Sequence, residues 1–86
     1  YFVFGETGEV EQVHRLGKSS DASLIDIEPG VWHSFIVTET DTVLFEAKAG
    51  PYEARTDKVF APWAPEEFSP EADRWLQEMR RLAEDY

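Results

Sequence analysis

Two histidines and no cysteine restrict metal and nucleophile chemistry in this 86-residue sequence to imidazole, carboxylate and hydroxyl groups. His33 carries the most information. It closes the run Pro29-Gly30-Val31-Trp32-His33 and so follows a turn at the start of a strand, where a rigid scaffold would fix its direction. Strand alternation puts Phe35 and Val37 on its face and Trp32, Ser34 and Ile36 on the other. Metal ligation is one role for such an imidazole, although a zinc, iron or manganese site takes about three protein ligands. The plainer role is a histidine that is simply hydrogen-bonded. His14 shares a face with Val10 and Gln12 and reads as a surface or rim residue.

Glu46 is the second chemical candidate, because its neighbours Val43, Leu44 and Phe45 are so apolar. A carboxylate there either points to solvent or is buried with a partner, since unpaired burial is unfavourable. If Thr38–Asp41 is a hairpin loop, Val37 pairs with Thr42 and His33 lies opposite Glu46. Both would then face one interior beside Phe35 and Leu44. A slip of one residue in register removes that pairing. Lys48 lies on the face of Glu46, so a Glu–Lys pair is the alternative. Tyr52, in Gly50-Pro51-Tyr52, is either a proton donor or the aromatic anchor of a structured turn. No nucleophile elbow, phosphate-binding loop, dinucleotide fingerprint, His-Glu-x-x-His helix or calcium loop occurs.

The elements that must position these residues are mostly strands. Tyr1–Phe4 and Glu9–Arg15 flank the glycine-bracketed turn Gly5-Glu6-Thr7-Gly8 and predict a β-hairpin. Ser23–Glu28, Trp32–Val37 and Thr42–Lys48 predict further strands, separated by the Gly17–Asp21 loop, the Pro29-Gly30 break and the Thr38–Asp41 turn. Short strands with no helix between them predict an antiparallel sandwich or barrel. Prolines 51, 62, 65 and 70 exclude regular structure from Ala49 to about Phe68, while Tyr52, Phe60 and Trp63 are expected to pack that segment down. From Ser69 the pattern is helical. Ser69 is the expected N-cap, Pro70 takes the first position, and Glu71 and Asp73 suit the positive end of the dipole. Ala72, Trp75, Leu76, Met79, Leu82, Ala83 and Tyr86 form one apolar face.

Acidic residues outnumber basic ones by 18 to 8, for a formal charge of −10. That balance argues against nucleic acid and against anionic membrane surfaces as partners. No stretch approaches the roughly 20 apolar residues of a membrane span, no signal peptide is visible, and the lack of cysteine fits the cytoplasm. The chain opens in a strand without an initiator Met, as expected of an excerpt from a longer protein.

Ordered blocks add a resemblance. Ile27-Glu28-Pro29-Gly30-Val31-Trp32-His33, Val43–Tyr52 and Thr56–Glu67, with Ala61-Pro62-Trp63-Ala64-Pro65 in the last, resemble the C-terminal half of the WbuC family of cupin-fold metalloproteins. That family is found among bacterial polysaccharide (O-antigen) biosynthesis genes, and Tyr1–Arg15 resembles the hairpin that precedes this region in it. The resemblance implies a mainly β protein, a cupin or jelly-roll antiparallel barrel, here partial, with a C-terminal α-helix. Residues 1–68 would be barrel with a proline-rich closing segment, and 69–86 the helix packed on the same domain. It also implies a divalent metal (zinc, iron, manganese or nickel), with His33 as the single histidine of the second cupin motif. In the general motif a proline precedes that histidine by five residues, where this chain has Glu28, and the final asparagine is replaced by Val37. The first motif, with two histidines and a glutamate, would lie upstream of Tyr1. The expected activity is binding or transforming a sugar or nucleotide-sugar, with Glu46 and Tyr52 moving protons and Lys48 and Trp32 contacting the ligand. The alternatives are a non-catalytic small-ligand-binding cupin and a dimerisation module, and a homodimer is expected.

Overall fold

The computed structural model describes residues 1–17, 20, 22–48, 53 and 59–85. Three strands, β1 (Phe2–Phe4), β2 (Val10–Val13) and β3 (Trp32–Ser34), are followed by one helix, α1 (Pro70–Glu84). The strands form an open antiparallel sheet in the order β2-β1-β3. The molecule is therefore mixed α/β, and no barrel closes among the described residues.

The predicted hairpin is present. Phe2 pairs with Val13 and Val3 with Gln12, and the register then skips Glu11 so that Phe4 meets Val10, a β-bulge. Backbone bonds extend the pairing at both ends, with Gly5 N donating to Glu9 O at 2.8 Å and His14 N to Tyr1 O at 2.8 Å. Gly8 has φ of 93°, in the region open to glycine, and its missing side chain has a second purpose. A Cβ there would lie 2.9 Å from the Trp63 ring, so the indole rests directly on the turn.

β3 begins where the Pro29-Gly30 break ends. Val31 N donates to Glu28 O at 3.4 Å, and Gly30 has φ of 82°. Proline followed by a positive-φ glycine is the signature of a type II turn. The partner of β3 is not the one expected from sequence. It pairs with β1, Phe2 opposite Ser34, Val3 opposite His33 and Phe4 opposite Trp32. Thr42–Lys48 forms no strand, and neither does Ser23–Glu28. The turn between Val37 and Thr42 does form, with Thr42 Oγ1 donating to Glu39 O at 2.7 Å and Asp41 at φ of 62°, but no ladder follows it. Strand propensity reports how well side chains fit a pleated, half-buried surface, and that surface is lacking here. Val43 and Phe45 are 91% and 89% exposed.

The core is small and aromatic. Phe2, Phe4 and Ala61 are buried. Phe4 meets Trp63 and Trp75 edge-on at 5.3 and 5.7 Å between ring centroids, Trp63 stacks on Trp75 at 5.6 Å, and Trp32 meets Trp63 edge-on at 6.3 Å. Each such pair is worth about 0.5–1.5 kcal/mol beyond its area. Trp63 thus joins sheet, proline-rich segment and helix. Its Nε1 is buried without a hydrogen-bond partner among the described residues, which offsets part of the gain.

α1 starts as predicted. Ser69 Oγ accepts from Ala72 N at 3.1 Å, Pro70 occupies the first turn, and Glu71 and Asp73 lie at the positive end. Ala72, Trp75, Met79, Leu82 and Ala83 are half-buried on the expected face, and Leu76 lies at its exposed margin. Tyr86 falls outside the described residues. The far end of the helix is tied to the sheet by Arg15 Nη2, which donates to Ala83 O. Among the described residues no helix is long and apolar enough to cross a membrane.

Candidate functional site

Because side chains alternate along a strand, the sheet has two distinct faces. Phe2, Phe4 and Trp32 turn toward Trp63 and the helix. Tyr1, Val3, Gln12, His33 and Phe35 fall on the other face. Register sets Gln12, Val3 and His33 in one row across the three strands. At a strand spacing of about 4.8 Å, Gln12 and His33 stand roughly 10 Å apart along that row.

The face of His33 is thus the one turned away from the aromatic core. The hairpin pairing expected from sequence predicts an inward face, whereas among the described residues it is open, with His33 exposed and Phe35 41% exposed. The reason is the helix, whose indole at Trp75 meets Trp63 on the opposite face and buries that one instead.

His33 is held by its own backbone. Its Nδ1 lies 2.9 Å from Val31 O. A carbonyl oxygen only accepts, so Nδ1 carries the proton and the neutral ring keeps its lone pair on Nε2. His14 is arranged the other way, with Nε2 at 2.8 Å from Gln12 Oε1. There the amide oxygen takes the Nε2 proton and the lone pair falls on Nδ1.

Next along the face, the Tyr1 ring packs on Phe35 at 5.3 Å between centroids, inclined by 31°. Desolvation in this contact, and secondarily the charge of Glu46, raise the Tyr1 phenol above its ordinary pKa. Glu46 therefore acts electrostatically on this end of the sheet, but not as a ladder partner of His33, whose partner is Val3. The expected His33–Glu46 pairing does not form because Glu46 is in no strand. Lys48 is exposed and engaged in an interaction of its own. Trp32 packs on Trp63, on the helix side. Tyr52 lies outside the described residues.

The structure thus gathers His33 with Gln12, Val3, Tyr1 and Phe35, and not with Glu46 in register. Tyr1 and Gln12 were absent from the sequence-level site. Their strand parity with Val3 was readable, but the pairing of β1 with β3 was not. Among the described residues, no group of three or more His, Asp or Glu side chains is placed to hold a metal ion.

No protein-family model, curated protein or solved structure matches this chain.

Proposed function

We propose that the protein is a cytoplasmic cupin-type protein of bacterial surface-polysaccharide biosynthesis, in which His33 is one ligand of a divalent metal and the open sheet face receives a sugar or nucleotide-sugar. The observation that carries this reading is the tethered imidazole. With Nδ1–H held by Val31 O, the lone pair of Nε2 is free on the open face, the arrangement by which metal-bound histidines are oriented. The WbuC-like residue order supplies the fold and ligand class, and the described sheet is read as part of a jelly-roll barrel.

The described residues do not by themselves make a metal centre. They offer one oriented imidazole where about four donors are required, so the described residues alone define no step at a metal. In this reading the remaining donors lie outside the described residues, and the ion is zinc, iron, manganese or nickel. Tyr1, Gln12 and Phe35 give the face a mixed aromatic and amide lining suited to a polyhydroxylated ligand. Glu46 and Tyr52 move protons at that ligand, Lys48 contacts it, and Trp32 fixes the strand that carries His33.

Elemental analysis of the longest natural form of the protein, purified without chelators, tests the reading, with His33→Ala in parallel. The expected result is near-stoichiometric divalent metal in the parent and its loss in the variant. Metal-free parent protein whose thermal midpoint is unchanged by His33→Ala would overturn it.

A second reading is a dimerisation module. Exposed Val43 and Phe45, and the outer edges of β2 and β3, unpaired among the described residues, favour it. Sedimentation velocity separates the two: a concentration-dependent mass without metal supports the dimer, and a metal-loaded monomer excludes it.

A further inference from the structure

The described arginines fall into two groups. Arg74 pairs with Glu71 at 3.4 Å, and Arg81 pairs with Glu78 at 2.6 Å and Asp85 at 3.2 Å, all on the helix surface. Arg15 and Arg80 have no carboxylate partner among the described residues, although acids outnumber bases by 18 to 8 in the chain. Both line one cleft of about 310 Å³, between the end of β2, the chain beyond β3 and the last turns of α1. Two arginines without a carboxylate partner among the described residues therefore share one cleft in a molecule where acids are in excess.

We propose that this cleft binds a small oxyanion, a phosphate or carboxylate group on a hydroxyl-bearing metabolite. Arg15 gives one N–H to Ala83 O, and a guanidinium has five, so most of its donors remain available. Arg80 contributes a second planar fork, the geometry that recognises phosphate and carboxylate. Thr38 adds a hydroxyl donor to the wall, and Val37 and Ala83 are its apolar parts. Glu84, the acidic member of the lining, is an acceptor for a ligand hydroxyl beside the anion and disfavours a ligand that is anionic throughout. The volume lies at the lower end of the range for small-molecule sites, about 300–1,000 Å³, which suits a compact metabolite. His33 is not part of its lining, and the proposal does not depend on a metal.

The test is a titration of the protein with inorganic phosphate, glycerol 3-phosphate and acetate, followed by NMR of the arginine side-chain N–H groups. Arg80→Gln keeps a good helix former at an exposed position, and circular dichroism checks its fold. The expected result is saturable shifts at Arg15 and Arg80, tighter for glycerol 3-phosphate than for phosphate, with affinity about tenfold weaker in Arg80→Gln. Acetate binding as tightly as phosphate assigns the same site to carboxylates. Shifts that do not saturate, or an affinity unchanged in Arg80→Gln, would overturn the proposal.

Discussion

Replacing Gly8 by alanine tests the seat of Trp63 on the hairpin turn. Two penalties are combined there. An L-residue at φ of 93° is strained, by about 1–2 kcal/mol. The new methyl group would also lie 2.9 Å from two indole carbons, and the ring cannot withdraw freely because it is stacked on Trp75 and met edge-on by Phe4 and Trp32. Overpacking of that kind costs about 1–3 kcal/mol. Gly30→Ala is the internal control, since Gly30 has φ of 82° but nothing within 4 Å of an added Cβ. The expected losses are about 1–2 kcal/mol for Gly30→Ala and about 2–5 kcal/mol for Gly8→Ala. A domain of this size has roughly 5–10 kcal/mol in total, so the second is severe. Urea unfolding followed by tryptophan fluorescence gives both values, and near-ultraviolet circular dichroism reports whether the indole stack is disturbed. Equal losses for the two variants, with the tryptophan signal unchanged in Gly8→Ala, would refute the close approach of Trp63 to the turn.

Other expectations concern the helix and its approach. Ser69→Ala removes the cap that accepts from Ala72 N and should destabilise by about 1 kcal/mol in the same urea assay. Phe68 is 97% exposed at φ of 63°, so Phe68→Gly loses no burial and relieves about 1–2 kcal/mol of backbone strain. Set against about 0.4–1 kcal/mol of added unfolded-state entropy, a net gain of about 0.5–1 kcal/mol is expected in denaturant midpoint analysis. The hydrogen bond from Arg81 holds the Glu78 carboxyl below the usual range. Its folded pKa is depressed, so its stabilising contribution is present above the unfolded pKa and is lost as pH falls through the folded one. In Arg81→Gln the Glu78 titration, followed by carbon-13 NMR, should return upward.

The elements legible in the sequence were those fixed by local chemistry. Gly5 to Gly8 marked a turn, Pro29-Gly30 marked the entry to β3, and Ser69-Pro70 with the apolar spacing from Ala72 to Ala83 marked α1, because caps, positive-φ glycines and helical period act over a few residues. What remained hidden depends on residues far apart in the chain. Val43 to Phe45 has strand composition, yet that composition does not specify a partner, and β3 took β1 instead. The face carrying His33 was expected to be interior, and the position of Trp63, isolated in a proline-rich segment, reversed that by drawing the core to the Trp32 side. A hydrogen-bonded His33 was legible in the sequence, but its partner, Val31 O, was not. Arg15 and Arg80 are far apart in sequence, and nothing in their local context reveals that they share a cleft.

The most direct measurement for His33 is a zinc titration of the longest natural form of the protein, carrying nitrogen-15 in its histidine rings. The expected result is a shift of His33 Nε2 that saturates at one equivalent while Nδ1–H remains bonded to Val31 O. A His33 ring that zinc does not move, or equal gradual shifts at His14 and His33 without saturation, would contradict the assignment of His33 as a metal ligand.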